Sequence, residues 1–428
     1  MNARMHTLGN GAVVLVDPAP ELETFALSVV ARGGARWEDA ARSGWSHLLE
    51  HMVFKGAGGR DARGLVEAVE DRGGQINAAT GYERTSFHIR ALKGDGALAC
   101  EITSDLVFRP TLDAAELERE KGVIAQEIAE AADAPDDHVF DLAQARAFAG
   151  APLGRPILGA VETVGSAGVE ALGAWRAAIY APERMAVSFA GAIGEDEALR
   201  LAQEWFGAEP AWGRTQAPAP AVFSGGAAAE RRKLEQAHLV LMLPGVSVRD
   251  PDYFAFRLFA EALGGGMSSR LFQHVREQRG LAYNIDAFAE TYEDTGVLGV
   301  YAGTAAPKAA EAARLTAREI LALAEAPTAA ELARAKALLK SGLFMAREST
   351  LARAEQAAGQ ALLFGRLFSS AELSAAIDAV TLDDLRRVGG RALESGRTAG
   401  AVLGGQRALG AAEAFAEALL GPSGGARP

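Results

Sequence analysis

The stretch ERMAVSFAGAIGEDEALRLAQEWFG (183–207) decides the fold, because a second stretch repeats its order of elements. It runs from a short apolar strand through a glycine turn into an amphipathic helix. The second stretch, GRTAGAVLGGQRALGAAEAFAEALLG (396–421), has the same order of elements and aligns with the first with few gaps. Both halves also open with an apolar strand, at 12–16 and 238–243, before a helix-rich middle. We therefore predict two homologous domains that arose by internal duplication.

The clearest break between the halves is GAEPAWGRTQAPAPAVFSGGAA (207–228), which is rich in proline, glycine and alanine. Such a composition sustains neither a helix nor a central strand, so we interpret this segment as a linker. It divides the chain into a predicted N-terminal domain, 1–206, and a predicted C-terminal domain, 229–428. Each half has about 200 residues, the size of one domain or of a pair of subdomains.

The fold class follows from the kinds of segment inside each half. Strands such as TSFHIRAL (85–92) alternate polar and apolar residues, which is typical of an antiparallel sheet with one covered face. The segments 111–133 and 329–347 are long, alanine-rich and helical in pattern. Strands and helices follow no strict βαβ rhythm. We predict an α+β fold in which each domain is an antiparallel sheet packed with helices.

The composition limits the classes of function. Cys100 is the single cysteine and follows an apolar stretch, so we predict a small core residue and neither a disulfide nor a multi-cysteine metal site. The net charge of −12 argues against a nucleic-acid partner and is compatible with basic peptide substrates. MNARMHTLGNG at the N-terminus has no apolar signal region, and no run reaches the roughly 18 residues of a membrane helix. We predict no membrane association and a cytoplasmic location.

HLLEH (47–51) places two histidines four positions apart with a glutamate before the second. In a helix, His47 and His51 lie one turn apart on the same face, so both imidazoles can reach one ion. Glu50 lies on the adjoining edge, displaced by about 100° from His51, where it can contact a metal-bound water without being a ligand. The alternative interpretation is two partly buried histidines on an amphipathic helix.

A catalytic zinc site needs a third protein ligand and a fourth position for water. The candidate helix is 111–133, in which Glu120 and Glu127 lie seven positions apart and share a face. Val123 and Ile124 lie between them, which predicts that this face is buried. A row of carboxylates is more often a solvated helix face, so the spacing alone leaves the question open.

Several segments resemble the pitrilysin/insulinase family, in its short branch related to mitochondrial processing peptidase. HLLEHMVFKG and ELEREKGVIAQEI carry the inverted zinc motif of that family. The similarity continues through GGQINAATGYERTSFH (73–88), DAPDDHVFDLAQARAFAGAPLGRPILG (133–159) and LGGGMSSRLFQHVREQRGLAYNI (263–285). The resemblance implies that one zinc ion per chain is held by His47, His51 and Glu127. It also implies that Glu50 is the general base and Glu120 an auxiliary acidic residue.

This resemblance implies a zinc-dependent endopeptidase with a zinc-bound water as nucleophile. Zinc lowers the pKa of its bound water towards about 7, and Glu50 can accept the proton. The family takes an Arg/Tyr pair from the second half, which corresponds here to Arg276 and Tyr283. Tyr283 would donate to the oxyanion and Arg276 would hold the substrate backbone. Gly280 between them predicts that Arg276 ends a helix and Tyr283 begins a strand.

The segment 77–87 matches the family's substrate-binding strand, with Asn77, Ala78 and Thr80 at its start. A substrate that joins a sheet edge is bound through its main chain, so it must be extended. The resemblance therefore implies cleavage of extended or unfolded peptides, and folded proteins are expected to be poor substrates.

Zinc ligands in the first half and the Arg/Tyr pair in the second imply, by the same resemblance, a homodimer. Each site in a chamber formed by two chains would combine the zinc of one subunit with the Arg/Tyr pair of the other, and a hetero-partner is the alternative. The alternative function is a non-catalytic structural or peptide-binding subunit of a larger complex. Such relatives lose zinc ligands or the base, whereas this chain keeps both. A zinc hydrolase of a non-peptide substrate has no supporting residues.

Overall fold

The strands of the protein form two main sheets and one short hairpin in the computed structural model, which describes residues 3–213 and 216–421. In chain order the strands are β1 Arg4–Thr7, β2 Val13–Pro18, β3 Thr24–Ala31, β4 Gly56–Ala57, β5 Arg60–Asp61, β6 Gln75–Thr80, β7 Thr85–Leu92, β8 Met185–Gly191, β9 Gly226–Arg231, β10 Ala237–Pro244, β11 Ala282–Thr291, β12 Gly296–Thr304 and β13 Ala399–Gly404.

The described residues also form α-helices. In chain order they are α1 Trp45–Val53, α2 Ala62–Glu70, α3 Gly96–Phe108, α4 Ala114–Asp133, α5 Pro135–Ala147, α6 Val161–Gly165, α7 Val169–Ile179, α8 Glu195–Trp205, α9 Tyr253–Gly264, α10 Ala309–Glu325, α11 Ala329–Ala346, α12 Thr350–Phe364, α13 Ser370–Ala379, α14 Leu382–Glu394 and α15 Ala411–Leu420. Within the described part of the chain, none of them combines the length and hydropathy that crossing a bilayer requires.

The two main sheets share one topology. Their strand orders are β1-β2-β8-β3-β7-β6 and β11-β12-β10-β13-β9. Without β1, both sheets follow the same path, in which the first strand pairs in parallel with the last and the other neighbours are antiparallel. The predicted α+β class with two related sheets is confirmed. The sheets differ from the prediction in one respect, because each contains one parallel pair.

The same topology corrects the predicted match between opening strands. The counterpart of β2 is β9, and the counterpart of β10 is β3, so the proposed match of 12–16 with 238–243 is wrong by one strand. β9 begins at Gly226, inside the segment interpreted as a linker. Its sequence GAAAER has no large apolar residue and its side chains are exposed or half-buried, so it gives no strand signal.

The chain packs as two compact units, and neither is continuous in sequence. The first comprises Met1–Ala129, Pro156–Pro218 and Phe344–Ser370, and the second comprises Glu130–Arg155, Ala219–Leu343 and Ala371–Pro428. Helix α5 therefore packs on the sheet of the second unit, and α12 packs on the sheet of the first. The predicted boundaries 1–206 and 229–428 follow the order of the chain and stay a prediction. In the packing, α5 from the first half belongs to the second unit, and α12 from the second half belongs to the first unit.

Helix α12 covers the second face of the first sheet. Leu15, Val30 and Ala186 on this face form a buried cluster with alanines of the helix. Arg353 of α12 is also paired with the buried carboxylate of Asp17 at 2.8 Å. A sheet with one covered face was predicted, but its central strands are covered on both. The alanine side chains of α12 allow the helix to approach the sheet closely.

Candidate metal centre

Helix α1 carries the HLLEH motif, and a buried glutamate fixes where it begins. The Glu38 carboxylate accepts hydrogen bonds from the backbone N–H groups of Gly44, at 2.8 Å, and Ser46, at 2.7 Å. A carboxylate is favourable at this end, where N–H groups lack partners in the helix. Gly44 has φ +90°, and a Cβ there would lie 2.5 Å from the carbonyl oxygen of Leu158, so only glycine fits.

The two histidines of the motif lie on the side of α1 opposite its buried apolar residues. Leu48, Leu49, Met52 and Val53 are fully buried, which anchors one side of α1. His47 and His51 lie together on the other side, with ring centroids 4.6 Å apart. The predicted helical placement of the two histidines is therefore confirmed, and the histidine rings themselves are largely buried.

Helix α4 brings the two predicted glutamates to these histidines. Leu117 and Ile124 anchor α4, and Glu120 is 4% exposed, whereas Glu127 is half-buried. The prediction that both intervening residues are buried is wrong for Val123, which is 42% exposed. The buried face of α4 follows Leu117, Glu120 and Ile124, and Val123 lies one residue, or about 100°, away from it.

The donor atoms of His47, His51 and Glu127 converge. Glu127 Oε2 lies 3.9 Å from His47 Nε2 and 3.7 Å from His51 Nε2, and the three donors all lie within 4.8 Å of one another. Donors held about 2.0–2.2 Å from one ion at tetrahedral angles lie about 3.4 Å apart. The arrangement is thus close to what zinc requires, and two imidazoles with a carboxylate are a donor set of catalytic zinc sites.

Glu120 contacts His51 through Nδ1, the ring nitrogen that is not directed to the ligand cluster. Glu120 Oε2 lies 3.0 Å from His51 Nδ1, and Glu120 Oε1 lies 2.7 Å from the ammonium of Lys55. Accepting the Nδ1 proton leaves Nε2 of His51 with its lone pair directed to the ligand cluster. The auxiliary role predicted for Glu120 thus has a definite contact. Sequence reasoning missed Lys55 and Glu38, since neither belongs to the spacing of the motif.

Burial shifts the pKa values of His47 and Glu50. It lowers the pKa of His47 to about 4, with a smaller contribution from neighbouring His51, so the imidazole is neutral at neutral pH. Burial also raises the pKa of the Glu50 carboxyl, although hydrogen bonds from Thr80 act in the opposite direction. Among the described residues, His47 Nδ1 and Glu50 Oε2 are buried atoms without a hydrogen-bond partner. A neutral imidazole and an unpartnered carboxylate oxygen fit a metal and its water.

The buried imidazole of His47 predicts a loss of stability in acid for the metal-free protein. Above the ordinary pKa of 6.5 it is neutral in both the folded and the unfolded chain, and its burial adds no pH dependence. Between 6.5 and about 4 the unfolded chain binds a proton that the folded chain does not. The free energy of unfolding should therefore fall by about 3 kcal/mol over this range on account of His47 alone.

Urea unfolding of the metal-free wild type and of His47→Gln across this pH range measures the effect. The difference in unfolding free energy between the two proteins should change with pH, because glutamine does not titrate. A difference that stays constant from pH 7 to pH 4 would contradict a neutral, buried His47.

The predicted substrate-binding residues lie on β6, an edge strand of the first sheet. Asn77 is exposed, and its Oδ1 accepts the backbone N–H of Ala78 at 2.9 Å. Thr80 is half-buried, and the hydrogen bonds that it gives Glu50 set it beside the predicted base. An edge strand has backbone groups without a partner in the sheet, which are available to another chain. Substrate binding at these residues stays a prediction.

Arg276 and Tyr283 belong to the second unit. Arg276 lies near the end of a π-helical segment, Phe272–Glu277, and its guanidinium is over the Phe272 ring at 4.6 Å. Tyr283 is the second residue of β11 and is 62% exposed. The predicted helix end and strand start are confirmed. The catalytic roles of the pair stay predictions.

Comparison with known proteins identifies the family. Residues 13–161 match the profile of the insulinase family, peptidase family M16, and residues 166–339 match the profile described as the M16 inactive domain. The uncharacterised zinc protease YmxG of Bacillus subtilis is 34% identical over 382 residues, which cover 89% of this chain and 93% of the relative. The chain belongs to peptidase family M16.

Other similar proteins extend the comparison. The beta subunit of mitochondrial-processing peptidase from Lentinula edodes is 32% identical over 399 residues, covering 89% of this chain and 85% of the relative. A protease structure from Helicobacter pylori has a TM-score of 0.87 at 20% identity, covering 94% of this chain and 99% of the other. A chain of complex III2 from Candida albicans has a TM-score of 0.84 at 20% identity, covering 97% and 99%. These two structures share the fold of this chain.

Proposed function

We propose that this M16 protein is a zinc-dependent endopeptidase that cleaves extended or unfolded peptides. The observation that carries the proposal is the convergence of the donor atoms of His47, His51 and Glu127. Glu50 lies on α1 together with the two histidines. Relatives named zinc proteases support the same class of activity. Each chain would hold one zinc ion through these three residues.

The residues of the proposed zinc site have separate roles. Zinc, when bound, supplies a Lewis acid that makes a water molecule a nucleophile near neutral pH. The Glu50 carboxylate takes a proton from the attacking water and delivers it to the leaving amine nitrogen of the peptide. Its raised pKa favours this role, because a base is most effective when its pKa is closer to the working pH. Glu120 keeps His51 in the required tautomer through Nδ1.

The second half would complete the site from another chain. Tyr283 would donate its hydroxyl hydrogen to the oxyanion that forms on the scissile carbonyl, and Arg276 would hold the substrate backbone. Tyr283 is 62% exposed and the Arg276 side chain is 40% exposed, so both can contact a substrate. A homodimer with a chamber between two chains is the simplest assembly, because this chain carries both sets of residues. A hetero-partner is the second candidate, since the Lentinula relative is named as a subunit.

The edge strand β6 would bind the substrate main chain. Asn77 and Ala78 lie on this strand, and Thr80 links it to Glu50. A peptide that joins the edge would place its backbone beside the base, which favours chains that can become fully extended. The cytoplasmic location predicted from the sequence stays a prediction.

Digestion of an unfolded peptide with and without a zinc chelator tests the proposal. The purified chain should cleave the peptide at internal bonds, as identified by mass, and chelation should abolish cleavage until zinc is restored. A stably folded globular protein is the control and should stay intact. Binding of the peptide without any cleavage in the presence of zinc would instead favour a non-catalytic, peptide-binding subunit.

A further inference from the structure

Lys55 lies immediately behind the ligand cluster and has no role in the chemistry proposed above. Its Nζ is 2.7 Å from Glu120 Oε1, and the other oxygen of that carboxylate is 3.0 Å from His51 Nδ1. We propose that Lys55 is a positioning residue of the metal centre, which holds Glu120 so that His51 presents Nε2 to the ion. The inference rests on the proposed zinc site and adds a residue that acts through Glu120.

The burial of Glu120 is the reason that a cation is needed. The carboxylate is 4% exposed and lies on the anchored face of α4, beside Leu117 and Ile124. A buried carboxylate is costly unless its oxygens have strong partners. Lys55 supplies a charge-assisted hydrogen bond to one oxygen, which fixes the carboxylate plane and leaves the other oxygen for the imidazole.

The backbone at the end of α1 places Lys55 beside Glu120. The Lys55 backbone N–H donates to the Met52 carbonyl at 3.1 Å, which continues the helical turn beyond Val53. Gly56 then has φ +149°, and a Cβ there would lie 3.0 Å from Thr111 Oγ1. The chain can therefore leave the helix immediately after Lys55 only because glycine follows it. The lysine stem is partly exposed, while its ammonium reaches the buried carboxylate.

Two roles for Lys55 predict opposite changes in metal affinity. If Lys55 acted only as a nearby positive charge, its removal should strengthen zinc binding, because like charges repel. If it positions Glu120, its removal frees the carboxylate to rotate, and His51 loses the contact that orients its ring. Loss of such an outer contact weakens metal binding by about 10–100-fold. The sign of the change therefore distinguishes the two roles.

Zinc affinity of purified full-length variants, measured by competition with a chromophoric chelator, tests the proposal. Lys55→Met should bind zinc about 10–100-fold more weakly than the wild type, and Lys55→Arg should recover most of the affinity. Lys121→Met is the matched control, because Lys121 also lies near Glu120 in the chain, on α4, but is paired with Glu118 at 2.6 Å. It should bind zinc like the wild type. Urea unfolding of the metal-free proteins shows that each variant is folded.

A double substitution tests whether Lys55 acts through Glu120. Lys55→Met combined with Glu120→Gln should bind zinc no more weakly than Glu120→Gln alone. The visible spectrum of bound Co²⁺ should change in Lys55→Met and stay unchanged in Lys121→Met. Unchanged or tighter zinc binding by Lys55→Met, or effects that add in the double variant, would overturn the inference while leaving the zinc site intact. A wild-type chain that binds no zinc would overturn the proposed function instead.

Discussion

Replacement of Glu50 with glutamine should lower the rate of peptide hydrolysis by about 10²–10⁴-fold while zinc stays bound. Glu50 lies one residue before His51 and is not a member of the convergent donor set. One of its oxygens, Oε2, is buried without a hydrogen-bond partner, so this oxygen can accept a proton from water. Glutamine has nearly the same shape but cannot accept a proton from water. The loss should therefore fall on the chemical step and not on the metal.

The measurement is kcat on an unfolded peptide together with the zinc content of the same preparation. Glu67→Gln is the matched control, because this half-exposed glutamate of α2 forms a surface pair with Arg63. It should keep full activity. Retained activity in Glu50→Gln would refute its role as the base. Loss of zinc from this variant would show that Glu50 is a ligand, which contradicts the assignment of the donors.

The local part of the site could be predicted from the sequence, because helix geometry is local. A spacing of four residues places His47 and His51 on one face whatever the rest of the chain does. The approach of Glu127 depends on how α4 packs against α1, which spacing does not determine. The resemblance to a known family supplied that contact, and the structure brings Glu127 Oε2 to 3.7 Å from His51 Nε2.

The supporting residues could not be predicted in the same way. A charged residue usually indicates a solvent-exposed position. Glu38, however, is 2% exposed and caps the helix that carries the site. Lys55 meets Glu120 across a separation of 65 positions, which no periodicity encodes. The failure at Val123 has the same origin. An apolar residue near a buried face need not belong to it, and a single step of about 100° turns it to solvent.

The exchange of α5 and α12 shows a further limit of sequence patterns. Apolar periodicity indicates that a helix has a face to bury, but it does not say against which sheet. Chain order favours the nearest sheet, since consecutive elements are usually neighbours. Here α12 follows the second domain's helices and packs on the first sheet, where Arg353 meets Asp17 across 336 positions. The presence of two related sheets could be predicted, but the sheet on which each of these two helices packs could not.

Two inactive variants, Glu50→Gln and Tyr283→Phe, should regain activity when they form dimers together. Tyr283→Phe removes the proposed oxyanion donor and should lower kcat by about 10²–10³-fold by itself. If each site combines the zinc of one chain with Tyr283 of the other, a mixed dimer contains one intact site and one doubly damaged site. Random mixing makes about half of the dimers mixed, so about a quarter of all sites should be active.

Coexpression of the two variants with different tags, followed by purification through both, isolates the mixed dimers. These should have about half of the wild-type activity per dimer, since one of two sites is intact. Glu50→Gln paired with Glu127→Gln is the control, because both defects lie in the zinc half and every site then contains one of them. This pair should stay inactive. If the first pair also stays inactive although mixed dimers form, the Arg276/Tyr283 pair does not act on the zinc site of the partner chain.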